Sequence, residues 1–253
     1  MIFPKIKILH SHGWQYIPDL NAVELTEEFR GRPYLTATAD MHDVEAAAQL
    51  CPVKAISTQP FSLDMGKCLF CGECALRAPK NISFTNDYKI SSTSREALII
   101  KPGDERVEFH PEQTREQIYQ LFGHALKLRQ VSAAGDASVE MELNASGNVN
   151  FDFGRYGIEF VASPRHADGV VITGPISQNM AEALEICYNS IPDPKLVIVC
   201  GSEACSGGLF ADSKAIDRSF LDRYKVDLWL PGTPTHPMTF IDGVMNLLRL
   251  KTR

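Results

Sequence analysis

Short, unbroken apolar runs punctuate the second half of the chain. Leu196–Cys200 (Leu-Val-Ile-Val-Cys) is the strongest, Gly169–Thr173 repeats it, and Gly157–Val161 and Val226–Leu230 come next with one acidic interruption each. Runs of this length, rich in β-branched residues and bounded by Gly, Pro and Asp, predict buried strands. Between them the period changes. Ser177–Asn189 and Lys214–Arg223 space their apolar residues as helices do, and Pro234–Leu250 reads as a final amphipathic helix. Strand–helix alternation with continuously apolar strands implies an α/β fold, a parallel sheet doubly wound with helices on both faces and flavodoxin-like in arrangement. In such sheets sites lie beyond the carboxyl ends of the strands. Those ends are Ala133–Val139, Gly174-Pro175, Gly201–Gly208 and Pro231–Thr235.

The first part of the chain has a different texture. Brief β-rich stretches such as Ala97–Ile100 lead to a loop cluster, Lys101-Pro102-Gly103-Asp104. Beyond it Ile118, Leu121, Phe122, Ala125 and Leu126 fall at helical spacing. A boundary near residue 105 is expected, with a smaller α+β domain over residues 1–105 and the parallel-sheet domain over 106–253.

Composition narrows the classes. The 253 residues are 44% hydrophobic and 22% charged, which excludes disordered and fibrous chains. Acidic residues outnumber basic ones, 31 to 25, for a net charge of −6, which argues against general electrostatic binding to nucleic acid. No apolar run approaches the roughly 20 residues of a membrane span, and the opening residues form no secretory h-region. Any membrane association is therefore expected through partners.

Cysteine usage carries the chemistry. Seven cysteines are an odd number for a disulfide framework, so metal or redox use is the better reading. Cys68-Leu-Phe-Cys71-Gly-Glu-Cys74 is a C-x2-C-x2-C run whose thiolates can reach three corners of one iron–sulfur cube. The bacterial ferredoxin run continues x3-C-P, its last cysteine serving the other cluster. Here that continuation is Ala75-Leu76-Arg77-Ala78-Pro79, with alanine in place of cysteine. Upstream, Cys51-Pro52 looks like the end of a first such run, with Met41, Val44 and Ala47 where its three thiolates would stand. The four surviving cysteines are the set for one cluster and the four losses the set for the other. One 4Fe–4S cluster on Cys51, Cys68, Cys71 and Cys74 is the expectation, in a ferredoxin-like front domain. Zinc on the same four thiolates is the alternative, although zinc sites usually pair two C-x2-C units.

Arg30-Gly31-Arg32-Pro33-Tyr34-Leu35, Cys51-Pro52 and Phe61-Ser-Leu-Asp64-Met-Gly-Lys67-Cys68 resemble the ferredoxin-like subunit of formate hydrogenlyase and related energy-converting hydrogenases, over roughly residues 28–95. That family usually carries two clusters. A second resemblance covers roughly residues 125–250. It rests on Ser163-Pro164-Arg165-His166-Ala167-Asp168, Thr173-Gly174-Pro175-Ile176, Ile191–Lys195, Cys200–Gly208 and Leu230-Pro231-Gly232-Thr233-Pro234. These motifs resemble the small subunit of membrane-bound energy-converting nickel–iron hydrogenases and the iron–sulfur subunit beside the quinone pocket of complex I. That resemblance implies a cluster whose four ligand positions fall here on Asp136, Val139, Glu203 and Thr233. None is cysteine, and valine has no donor atom at all, so the rear domain is expected to hold no cluster. Cys187, Cys200 and Cys205 are expected as small core hydrophobes. Asp136, Glu140, Glu142 and Glu203 are candidates for a carboxylate pocket, with a hard cation or a proton relay as the sharper possibility and a polar loop surface paired with Arg165 or a partner as the favoured one. The glycine loop Gly201–Gly208 fits no phosphate-binding pattern.

Together the resemblances imply an iron–sulfur electron-transfer and scaffold subunit, peripheral on the cytoplasmic face of the cell membrane. Its partners would be a hydrogenase large-subunit-like or complex I-like protein and membrane subunits. No nucleophile–base constellation is present, so no turnover of its own beyond electron transfer is expected. A non-redox structural or regulatory subunit of an ion- or solute-translocating assembly, its cluster serving folding, is the alternative; a stand-alone soluble ferredoxin is a weaker third. The purified protein is expected to show thiolate-to-iron absorbance in the visible region and roughly four irons per chain. Stoichiometric zinc with a colourless sample would favour the alternative metal.

Overall fold

A computed structural model describes residues 3–13, 16–37, 41–114, 116–123 and 125–250. The front part opens with helix α1 (Phe3–His12). Strand β1 (Pro33–Leu35), helix α2 (His42–Leu50), strands β2 (Ile56–Thr58) and β3 (Phe61–Asp64), helix α3 (Glu73–Arg77) and strand β4 (Ile82–Phe84) come after it. β1 and β4 pair antiparallel, while β2 and β3 form an antiparallel sheet with β5 (Ile99–Ile100). The expected strand at Ala97–Ile100 is thus only two residues long. Glu96–Leu98 turn instead as a 3-10 helix, closed by Leu98 N–H donating to the Arg95 carbonyl.

The rear part holds α4 (Glu116–Phe122), β6 (Leu126–Ser132), α5 (Ser138–Ala145), β7 (Ile158–Phe160), β8 (Gly169–Thr173) and α6 (Gln178–Asn189). It continues with β9 (Leu196–Cys200), α7 (Ser202–Ser206), α8 (Ser219–Arg223), β10 (Leu228–Leu230) and α9 (Pro237–Leu247). Its five strands are all parallel in the order β10-β9-β8-β6-β7. Counted from β6, this is the doubly wound order 2-1-3-4-5, whose switch point lies between β6 and β8.

β8 and β9 fall where the apolar runs put them. Other boundaries move for local reasons. The helical spacing from Ile118 stops at Phe122, where Gly123 N–H closes the last turn on the Tyr119 carbonyl; Leu126 instead opens the central strand β6. Residues 214–218 are not helical, because their backbone is committed to a neighbour: Ser177 and Ile216 form a bridge, and Gln178 N–H donates to the Ala215 carbonyl at 2.8 Å. The last helix begins at Pro237, with His236 Nδ1 accepting from Met238 N–H at 3.1 Å. Proline suits the first helical position because its missing N–H has no partner there in any helix.

Period-two alternation divides the sheet between two cores. Val170, Ile172, Val197 and Val199 face one side; Val171, Leu196, Ile198 and Cys200 face the other. The first side is continuous with Leu63, Met65, Phe70 and Ile82 of the front part, forming one buried cluster. The second is covered by α9, whose Phe240, Ile241, Val244 and Leu247 are fully buried. Gly243 lets that helix approach closely, since a Cβ there would stand 2.7 Å from Leu230 and 3.0 Å from Ser91. The front segment also joins the sheet directly: Ser92 and Trp229 exchange backbone hydrogen bonds of 3.0 and 2.8 Å at the β10 edge. Phe240 packs against Phe153 and Phe160 with ring centroids at 6.5 and 5.8 Å. Phe240→Ala is expected to lower unfolding stability by roughly 3–5 kcal/mol in denaturant titration, the cost of an unfilled aromatic site in a core.

Candidate functional site

Cys51 ends α2 and Cys74 lies in the first turn of α3, two helices that pack on each other; Cys68 and Cys71 sit in the loop between β3 and α3. All four line a single pocket whose remaining wall is mainly apolar, with Ala47, Leu50, Val53, Leu63 and Phe84 among its residues. Cys68 is buried, Cys51 and Cys74 are half-buried, and Cys71 is exposed. Two backbone amides point at sulfur: Ala55 N–H donates to Cys51 Sγ at 3.3 Å and Phe70 N–H to Cys68 Sγ at 3.2 Å. Burial, opposed by the Phe70 amide and aided by the neighbouring thiols Cys74, Cys51 and Cys71, pushes the Cys68 thiol up to about 12. Burial likewise raises Cys74 to about 11, followed by Cys71 and Cys51. Four soft sulfur donors in an apolar setting, with amides aimed at two of them, match the donor chemistry of a 4Fe–4S cluster. Among the described residues, no three His, Cys, Asp or Glu side chains close around a point suited to a single metal ion.

The rear residues gather at the carboxyl ends of β6, β8 and β9. Asp136 lies just beyond β6 and accepts from Ser138 N–H (2.9 Å) and Ser138 Oγ (2.6 Å), which hold its carboxyl below the usual range. Glu140 Oε1 accepts from Thr173 Oγ1 at 2.6 Å. Glu203, in the first turn of α7, is pushed up by burial, then by Asp136 and Glu140. Val139 is buried and fills the space beside Gly201, where a Cβ would stand 2.7 Å from its methyl. Three of the four non-cysteine positions thus belong to one neighbourhood. Thr233 turns elsewhere: its Oγ1 donates to the Cys68 carbonyl at 3.4 Å.

Two expectations are corrected. Glu142 does not join the carboxylate group; it lines a separate cavity with Arg30, Phe70, Thr233 and His236. On a helix, residues two apart point to different sides, so Glu140 and Glu142 diverge. Arg165 does not pair with Glu203 or Asp136 among the described residues. It is exposed, with His166, in a 3-10 turn before β8, at the amino end of the strand and the wrong end of the sheet. The cation near Glu203 is Arg218, which donates to the Glu203 and Ala204 carbonyls at 3.4 and 2.8 Å. Cys200 and Cys205 are buried, Cys187 half-buried, and burial raises all three thiols, in keeping with core packing. Sequence reasoning missed Arg95 and Arg218. Their partners lie far away in the chain, and no local pattern marks them.

Residues 137–247 match the family model described as NADH ubiquinone oxidoreductase, 20 Kd subunit. An NADH-quinone oxidoreductase subunit of Heliobacterium modesticaldum is 40% identical over 116 residues, covering 46% of this chain and 66% of the relative. The corresponding subunit of Desulfovibrio desulfuricans is 41% identical over 113 residues, covering 45% and 61%. The chain therefore spans under two thirds of the length of these relatives. Among solved structures, a chain of the membrane-bound sulfane sulfur reductase, an archaeal respiratory membrane complex, aligns over 56% of this chain and 76% of its own length, at 28% identity and a TM-score of 0.45.

A carboxyl whose folded pKa is raised keeps its stabilising contribution below its ordinary value of 4.5 and loses it as pH rises through the folded pKa. Glu203→Gln is accordingly expected to raise the melting temperature at pH 7 to 8 and to leave it nearly unchanged at pH 4, in paired thermal scans.

Proposed function

Because residues 137–247 match the NADH ubiquinone oxidoreductase 20 Kd subunit family, we propose that this protein is an iron–sulfur subunit of a complex I-like, membrane-bound assembly. In this reading the front part is a ferredoxin-like domain over residues 1–105, with one 4Fe–4S cluster on Cys51, Cys68, Cys71 and Cys74. The rear part, residues 106–253, is a docking scaffold without a cluster. The observation that carries the reading is that all four thiols line one pocket.

When bound, such a cluster supplies one-electron transfer. The chain's own residues do the rest. The four thiols bind, and the Ala55 and Phe70 amides point positive dipoles at two sulfurs, an arrangement that favours the more negative, reduced form. Leu63 and Phe84 keep water from the buried side. Exposed Cys71 makes its side of the pocket the face open to a redox partner. Asp136, Val139, Glu203 and Thr233 offer no thiolate for an onward relay in the rear part. The rear domain then serves to dock a hydrogenase large-subunit-like or complex I-like partner and, through it, membrane subunits at the cytoplasmic face. Among the described residues, no helix is long and apolar enough to cross a membrane.

That missing onward relay also favours a second reading, in which the subunit is non-redox and the cluster secures the fold. Redox titration of the purified complex monitored by electron paramagnetic resonance separates the two. A signal that appears on reduction supports electron transfer, and a cluster inert at every accessible potential supports the structural role. Cys68→Ser and Cys74→Ser are expected to abolish iron retention, whereas Cys187→Ser, Cys200→Ser and Cys205→Ser retain it.

A further inference from the structure

The loop Cys68–Gly72 adopts a backbone it would not choose alone. Phe70 has φ +52° and Gly72 φ +84°, and the left-handed region is disfavoured for a residue with a Cβ. Such a conformation persists where the surroundings over-determine it. Here three hydrogen bonds do so: Phe70 N–H to Cys68 Sγ at 3.2 Å, Arg30 Nε to the Phe70 carbonyl at 2.5 Å, and Thr233 Oγ1 to the Cys68 carbonyl at 3.4 Å.

The last of these comes from the rear part, from a loop that is itself anchored. Ser202 N–H donates to the Gly232 carbonyl at 2.9 Å, and Gly232 N–H donates to Ser202 Oγ at 3.2 Å, tying the loop to α7. Gly232 has φ +137°, and a Cβ there would lie 2.6 Å from Thr235 Cα, so the path of the loop is sterically fixed. Thr235 Oγ1 lies within hydrogen-bonding distance of the Leu230 and Pro231 carbonyls, at 3.1 and 3.3 Å. The Thr233 hydroxyl therefore stands on a platform set by the parallel sheet.

We propose that Thr233 is a positioning residue for the iron–sulfur ligand loop: the rear domain holds Cys68 in its ligating geometry through this hydroxyl. The proposal rests on the cluster reading above and concerns a residue outside the cysteine motif. Its O–H donates to the Cys68 carbonyl and offsets part of that oxygen's partial negative charge, so that losing the donor leaves more negative charge beside the ligand loop.

The test uses the full chain, reconstituted with iron and sulfide. Thr233→Val keeps the shape and removes the donor; Thr233→Ser restores a donor. Valine is expected to speed chelator-driven cluster loss roughly three- to tenfold, the range for one lost hydrogen bond, and to move the midpoint potential to more negative values. Serine should stay near wild type in both. Wild-type loss rates and potential in Thr233→Val overturn the proposal. So does a serine variant that behaves like valine, or a fall in melting temperature with the potential unmoved, since each points to packing alone. If wild type itself takes up no cluster, the cluster reading fails first, visibly, before any variant is compared, and the proposal falls with it.

Discussion

A guanidinium withdrawn from water must be matched on every side, and Arg95 meets that demand by joining the two parts of the chain. Its Nη1 and Nη2 donate to both carboxylate oxygens of Asp64 at 2.8 Å, and its Nε donates to the Cys205 carbonyl at 3.4 Å. Two parallel bonds fix orientation as well as distance. Asp64 closes β3, and its backbone carbonyl accepts from the Lys67 and Cys68 amides at 3.1 and 3.0 Å. The residue that grips Arg95 therefore also sets where the cysteine loop begins. Gly66 is needed for the same reason, because a Cβ there would lie 2.5 Å from the Arg95 guanidinium carbon. In this largely shielded pair, removing either partner would leave a poorly solvated, unmatched charge.

The parts of this architecture that were readable from the chain are those whose causes are local. β8 and β9 lie buried on both faces, so nearly every residue is apolar and the run marks itself. β6 is equally central, yet Lys127, Arg129 and Gln130 interrupt it, and the preceding helical spacing runs on into Leu126; only pairing with β8 reveals it. The gathering of Cys51, Cys68, Cys71 and Cys74 around one pocket follows from their close spacing in the chain and the packing of α2 on α3. Glu142 and the Arg165–His166 turn were misplaced because facing depends on which side of a helix, or which end of a strand, a residue occupies. Arg95, Arg218 and the reach of Thr233 to Cys68 have no local signature, being contacts made across the closed fold.

At the carboxyl ends of β6, β8 and β9 the packing accommodates a group of carboxylates. Asp136, Glu140 and Glu203 sit close enough to disturb one another, and burial leaves Glu203 reluctant to ionise. Hydroxyl and amide donors from Thr173 and Ser138 take up Glu140 and Asp136. Val139 fills the remaining space with hydrocarbon. The result is a carboxylate group held by its own hydrogen bonds beside the switch point of the sheet.

The exchange between Ser92 and Trp229 has a consequence for association. An open strand edge presents unpaired N–H and C=O groups that can recruit a strand from another chain. At β10 that template is occupied by the chain's own front segment, and at the opposite margin β7 is only three residues long. Growth of the sheet by strand addition is therefore blunted on both flanks. At these two margins a neighbour would meet loop tips and helix faces, surfaces whose side chains can discriminate in a way that a bare backbone ladder cannot.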